Sequence, residues 1–282
     1  MALPLLDRII YGPVRSRRLG ASLGVNLLPP GLKVCNMDCA YCQYGWNRGR
    51  VRPRGQRIAW PSAQAVETSV SARLLRATQS GEILDRITVA GHGEPTLHPE
   101  FDEVVARLCA VRDRLAPRLP LAILSNSTTA AADDVRSALA RFDERYMKLD
   151  AGDSITGARI NGAPVSVTMI VDALRALAPI TVQAMFVKDV CGEIDNTTSG
   201  AVRAWLVALE QIKAERVHIY TLRRPPAHES LRPASLRQLR EIAERVRSIG
   251  VAAEVFIASA GADALSESPR RARLTSRVHA GL

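Results

Sequence analysis

Apolar positions along this chain repeat with two alternating periods. Short runs, mostly rich in β-branched residues or flanked by breakers, predict strands at residues 25–28, 86–90, 121–125, 146–150, 180–187, 216–222 and 251–257. Between them the apolar spacing becomes helical. Phe101, Val104, Val105, Leu108 and Leu115 form one stripe after Pro99, and Val135, Leu139 and Phe142 a shorter one. Val202, Trp205, Leu206, Leu209 and Ile212 form a third, opened by the capping run Asp195-Asn196-Thr197-Thr198. Leu236, Leu239, Ile242, Ala243, Val246 and Ile249 form a fourth, stopped by Gly250. Strand–helix alternation at this spacing predicts right-handed βαβ units on a parallel sheet. Six or seven units are too few to close an eight-stranded barrel. The expected fold class is therefore α/β, as a partial (β/α)6 TIM-like barrel or an open doubly wound sheet. In both, functional residues follow the C-terminal ends of strands.

Composition narrows the setting. In 282 residues, 47% are hydrophobic, enough for one large core. No apolar run reaches bilayer-spanning length, and acid and base both occur within the first eight residues. The expectation is a cytoplasmic protein with no membrane partner. The net charge of +10 is uneven: the first 57 residues hold ten Lys or Arg against Asp7 and Asp38. Such a segment attracts phosphates, nucleic acid or an acidic redox partner. The expected organisation is a basic lead-in segment (1–23), a barrel (24–258) and a basic, loosely ordered tail (259–282). Residues 45–57, rich in Arg, Gly and Pro, are expected to form an exposed loop.

Cysteine usage changes the picture most. Three of five cysteines, Cys35, Cys39 and Cys42, fall within eight residues, whereas Cys109 and Cys191 are isolated. This is a poor disulfide framework and a good metal-site pattern. Structural zinc generally takes four ligands in two separated pairs, and no second pair exists here. Three sulfurs from one loop suit an iron–sulfur cubane with three protected irons and one open iron. Cys109, in a helical stripe, reads as a small buried hydrophobe. Cys191 follows a predicted strand and is a candidate substrate-linking thiol.

The spacing Cys35-Asn-Met-Asp-Cys39-Ala-Tyr-Cys42 resembles the signature of the radical SAM superfamily. Gly91-His92-Gly93-Glu94-Pro95-Thr96 resembles the superfamily's Gly-Gly-Glu-Pro region after the second strand, with His92 where glycine is common. Residues 12–20 and 22–26, Asp195-Asn196-Thr197 and Tyr220-Thr221 resemble one branch, grouped with wyosine-base-formation Fe–S oxidoreductases. The likeness spans roughly residues 10–257. Wyosine synthases carry further cysteines ahead of the main motif, and this chain has none before Cys35.

The resemblance implies a [4Fe–4S] cluster on Cys35, Cys39 and Cys42 whose open iron chelates S-adenosylmethionine. One electron, from a flavodoxin or ferredoxin type of donor, then breaks the sulfonium bond and gives a hydrogen-abstracting 5′-deoxyadenosyl radical. It also implies that Glu94 accepts a hydrogen bond from the methionine ammonium, with Gly91 and Gly93 allowing close backbone approach. Tyr41 is expected beside the cluster, its backbone meeting the adenine. Ser125, Asn126, Lys148 and Asp150 match positions that contact the ribose and carboxylate, with a Lys148–Asp150 ion pair as the alternative. Gln183 and Tyr220 are candidates to point into the barrel, and His92 to face the substrate. The expected substrate is RNA or another anionic molecule. A protein, peptide or small metabolite is the second reading, and a non-catalytic iron–sulfur nucleic-acid-binding protein the third.

Overall fold

The computed structural model describes residues 2–47, 58–163 and 166–257. The expected loop at 45–57 lies mostly outside these residues, and the tail at 259–282 wholly so. Two strands come first, β1 (Ile10–Ser16) and β2 (Gly20–Val25), paired antiparallel. There follow α1 (Ala63–Ser80), β3 (Arg86–Val89), a single 3-10 turn (Pro95–Leu97), α2 (Phe101–Leu115), β4 (Leu121–Ser125), α3 (Asp133–Leu139) and β5 (Glu144–Lys148). Next are α4 (Ser154–Asn161), α5 (Val167–Leu177), β6 (Thr181–Met185), β7 (Val187–Asp189), α6 (Ser199–Ile212) and β8 (Arg216–Tyr220). The chain then forms β9 (Leu231–Pro233), α7 (Leu236–Ser248) and β10 (Ala252–Phe256).

The main sheet has eight strands in the order β1-β2-β3-β4-β5-β6-β8-β10, and every pair from β2 onward is parallel. The order is linear, so the sheet stays open as a partial barrel, as the element pattern predicts. β7 and β9 form a separate antiparallel pair. Among the described residues no helix is long and apolar enough to cross a membrane.

Period-two alternation divides each strand between two environments. Leu23, Val25, Ile87, Val89, Leu121, Ile123, Met147, Val182, Ala184, Val217 and Ile219 join the buried core shared with the helices. The intervening positions carry Ser22, Thr88, Tyr146, Lys148, Gln183, His218 and Tyr220, which define a polar inner face. Burying these groups demands partners. Ser22 and Thr88 share a hydroxyl bond of 2.5 Å, and the Arg86 guanidinium donates to Tyr146 and lies 3.0 Å from Glu144. The helices are stopped and started locally. Ser62, Ser166 and Thr198 cap α1, α5 and α6, and Ser235 with Gln238 makes a full capping box on α7.

Several boundaries differ from the sequence expectation. The first parallel strand is Gly20–Val25 rather than 25–28, and β1 precedes it, so residues 1–23 contribute to the sheet. Leu27 and Leu28 are buried, but the Asn26 side chain accepts from Leu28 N and donates to Leu28 O, curling the chain into a turn. The run 180–187 divides into β6 and β7, and the fifth strand ends at Lys148, two residues before Asp150. α3 stops at Leu139, leaving Phe142 in a loop stacked on Phe101. α1, α4 and α5 had no sequence expectation. In α1 two of the buried positions are alanine, which dilutes the apolar period, and α5 is apolar over most of its length.

His218 yields a pH prediction. Burial lowers its pKa from 6.5 to about 4; Glu254 opposes the shift, and Arg18, Arg216 and Arg86 reinforce it. Between these values the unfolded chain binds a proton that the folded chain rejects. Stability from this group is therefore complete above pH 6.5 and falls as pH drops toward 4, by up to about 3 kcal/mol. Urea titrations should show the wild type losing more stability over that window than His218→Leu; equal losses would assign the acid sensitivity elsewhere.

Candidate functional site

The cysteine loop leaves the end of β2 and is clamped from two sides. On one side Glu94 N donates to Val34 O at 2.9 Å, one residue before Cys35. A Cβ on Gly93 would overlap that carbonyl, and one on Gly91 would overlap the Asn26 side chain, so both glycines are required by proximity. On the other side Asp38 N and Ala40 N donate to Asn161 O and Ile160 O at the C-terminal end of α4, each at 2.8 Å. These bonds use helix carbonyls that would otherwise lack partners. Within the loop Cys42 N donates to Cys39 O at 2.9 Å, and Asn47 bonds both Asp38 Oδ1 and the Cys35 carbonyl.

Two amides address the sulfurs. Asn126 Nδ2 lies 3.7 Å from Cys35 Sγ, and Asn161 Nδ2 lies 3.3 Å from Cys39 Sγ. Burial pushes the Cys35 thiol up to about 12, with the Glu94 charge adding to the effect. Burial likewise raises Cys39 to about 11, with Asp150 adding to it. Protonated, these are poor ligands; a cation at the sulfurs reverses the balance by holding the thiolate form. Among the described residues no three His, Cys, Asp or Glu side chains converge as a single-ion site. A cubane does not require such convergence, because each thiolate takes a different iron. Thiol donors with N–H groups aimed at two of them, on a tightly braced loop, fit that group.

Glu94 is buried beside the loop. Its Oε1 accepts from Thr96 N at 3.1 Å, Thr96 Oγ1 at 2.6 Å and Ser125 Oγ at 2.9 Å; Oε2 accepts from Asn126 N at 2.6 Å. Oε1 is thus crowded with donors, whereas Oε2 has one described donor. Burial raises the Glu94 pKa, and the bonds from Thr96, Asn126 and Ser125 oppose the rise. Ser125 and Asn126, expected at the cofactor's ribose and carboxylate, spend these groups on Glu94, while the Asn126 side chain reaches Asn36 and Cys35.

A second polar cluster gathers at the ends of β5, β6 and β8. Asp150 Oδ1 accepts from Met185 N at 2.8 Å and pairs with Lys148 Nζ at 3.1 Å. Its Oδ2 accepts from Tyr41 OH at 2.5 Å and Asn161 Nδ2 at 3.0 Å. Lys148 also donates to Tyr220 OH at 2.7 Å and stands 4.7 Å from the centre of the Tyr41 ring. Burial alone lowers the Lys148 pKa, but Asp150 and Tyr220 outweigh it and the net shift is upward. The Lys148–Asp150 ion pair is therefore formed, and Tyr41 directs its phenol into this cluster. Gln183 is buried, its Oε1 3.4 Å from Arg18 and its Nε2 without a partner among the described residues.

His92 does not face this space. Its Nδ1 accepts from Leu6 N at 3.1 Å, and Nε2 lies 3.1 and 3.0 Å from the carbonyls of Pro29 and Leu32. It pins the N-terminal segment to the base of the cysteine loop. Cys191 is exposed, and Cys109 packs against the helical core. Sequence reasoning missed Asn161, which touches Cys39, Tyr41 and Asp150; its only signal was the Asn-Gly pair that ends α4. A cleft between Met37, Asp150, Asn161 and Ile170 adjoins the cluster, but at about 10 Å³ it suits a water rather than a cofactor.

A model of the radical SAM superfamily matches residues 31–189. A UPF0026 protein of Methanocaldococcus jannaschii is 28% identical over 237 residues, 83% of this chain and 70% of that protein. Among solved structures, a radical SAM methyltransferase from Sphaerobacter thermophilus aligns with a TM-score of 0.59 at 15% identity, covering 86% of this chain and 67% of that one. Streptococcus suis SuiB bound to S-adenosylmethionine aligns with a TM-score of 0.58 at 13% identity, covering 84% and 51%.

The clamp makes Gly93 sensitive to a single methyl group. Gly93→Ala forces the Glu94 loop and the Val34 backbone apart and should destabilise the fold by about 1–3 kcal/mol. Thermal unfolding measures this, and an unchanged Tm would refute the close packing.

Proposed function

The chain belongs to the radical SAM superfamily, and on that premise we propose that it is an enzyme that carries one [4Fe–4S] cluster on Cys35, Cys39 and Cys42 and acts on an anionic substrate. The superfamily's cofactors are a [4Fe–4S] cluster and S-adenosylmethionine. Bound together they supply reductive cleavage of the sulfonium, yielding a hydrogen-abstracting 5′-deoxyadenosyl radical.

One observation carries the reading. Asn126 spans the thiol loop and the buried acid, its Nδ2 on Cys35 Sγ and its backbone N on Glu94 Oε2. A carboxylate with a less crowded oxygen therefore stands next to the sulfur loop, where an ammonium group chelated at an open iron would need an acceptor. Ser125, Thr96 and the Asn126 backbone fix the orientation of that carboxylate before any ligand arrives. Gly91 and Gly93 let the Glu94 loop reach the cysteine loop.

Across the loop, Lys148 stays cationic and is available to a ligand carboxylate, with Asp150 and Tyr220 holding its position. Tyr41 and Asn161 complete the wall behind Cys39. Gln183 and Tyr220 lie on the inner face beside this cluster. The basic N-terminal segment supports both an anionic substrate, RNA included, and docking of an acidic flavodoxin or ferredoxin type of electron donor.

Anaerobically reconstituted chain should hold about four irons and form 5′-deoxyadenosine under a strong reductant; Cys39→Ala should lose both. Glu94→Gln preserves most of the local hydrogen bonds and removes the charge. It should keep its iron and bind S-adenosylmethionine at least roughly tenfold more weakly. Iron retained by Cys39→Ala, or unaltered cofactor affinity in Glu94→Gln, defeats the assignment.

A further inference from the structure

Among the described residues, the cations on the inner face of the strands are paired and one from the adjoining turn is not. Arg86, Lys148 and Arg216 are each held by a carboxylate, Glu144 at 3.0 Å, Asp150 at 3.1 Å and Glu254 at 2.7 Å. Arg18 is different. It comes from the β1–β2 turn, and among the described residues no carboxylate lies within ion-pair distance of it. Its guanidinium carbon stands 4.4 Å from the centre of the Tyr220 ring, and one of its nitrogens is 3.4 Å from Gln183 Oε1. The ring contact stabilises the cation but satisfies none of its N–H donors.

Gln183 supplies an independent sign. It is 4% exposed, yet among the described residues its Nε2 has no hydrogen-bond partner. Leaving a buried amide donor unpaired is costly, because the desolvation of its N–H goes uncompensated. Its oxygen faces Arg18, so the unpaired amide belongs to the same corner of the barrel, between β6 and β8. Tyr220, whose hydroxyl is held by Lys148, forms the adjacent wall. A planar guanidinium and a buried N–H donor close together are what a carboxylate or phosphate oxygen pair requires.

We infer that Arg18 and Gln183 form the substrate anchor of this enzyme, gripping a carboxylate or phosphate group inside the barrel. The inference rests on the functional reading above and makes it more specific: the anion sits on the inner face and is read by two named side chains. The basic lead-in segment then attracts the substrate, and Arg18 determines which part of it enters.

The test is calorimetric titration of the full chain with inorganic phosphate and, separately, malonate, at constant ionic strength with chloride as the balancing salt. Saturable one-to-one binding of at least one probe is expected, and the tighter probe names the group recognised. Arg18→Met keeps an apolar stem over Tyr220 and should weaken that binding at least tenfold. Gln183→Leu should weaken it as well, and circular dichroism checks that both variants fold. Absence of saturable binding, or binding equal in the wild type and both variants, overturns the anchor. Because this titration needs no cluster, a chain that fails to take up iron defeats the functional reading and leaves the anion result standing.

Discussion

The contact on which the site depends is the backbone clamp around the cysteine loop. Val34 accepts from Glu94 N on one side, and Asp38 and Ala40 donate to the end of α4 on the other. A loop of this length has no regular structure of its own to fix three sulfurs, and its conformational entropy would scatter them. Borrowing hydrogen-bond partners from the loop after β3 and from a helix end removes that freedom. The glycines at 93 and 162 follow from the same constraint, since a Cβ at either would strike a loop carbonyl.

Clamping also links the two polar clusters. Asn126 reaches from Glu94 to Cys35, and Asn161 reaches from Asp150 to Cys39. Each asparagine donates both to a sulfur and to a buried acid, Asn126 through its side chain and backbone and Asn161 through its side-chain amide. This arrangement keeps two carboxylates close to two buried sulfurs without leaving either acid unpartnered. Burial does most to raise the pKa values of Cys35 and Cys39, and the nearby Glu94 and Asp150 charges add to it.

The site was legible in the sequence to different depths. The cysteine trio and Glu94 were readable because their spacing is local and the chemistry tolerates few substitutes. Lys148 and Asp150 were expected either to touch cofactor or to pair, and the ion pair forms because alternation places both on one face. Ser125 and Asn126, expected to contact the cofactor's ribose and carboxylate, stand at the end of β4 and turn toward Glu94. His92 was a candidate for the substrate side, whereas its ring nitrogens are taken by Leu6, Pro29 and Leu32. No periodicity indicates which way a loop side chain turns.

The amino-acid order by itself determined the α/β alternation, most strand positions, the long amphipathic helices and the three-sulfur motif. Each of these is written in local spacing: period two, period 3.6, or ligands on one short loop. Only the tertiary structure decided that Gly20–Val25 rather than 25–28 is the first parallel strand, that Asn161 belongs beside Cys39, and that Arg18 meets Gln183 and Tyr220. These contacts join residues far apart in the chain, between 122 and 202 positions for the last two sets. Their pairing is set by how the sheet curls and how the helices cover it, which is a property of the whole fold and not of any segment.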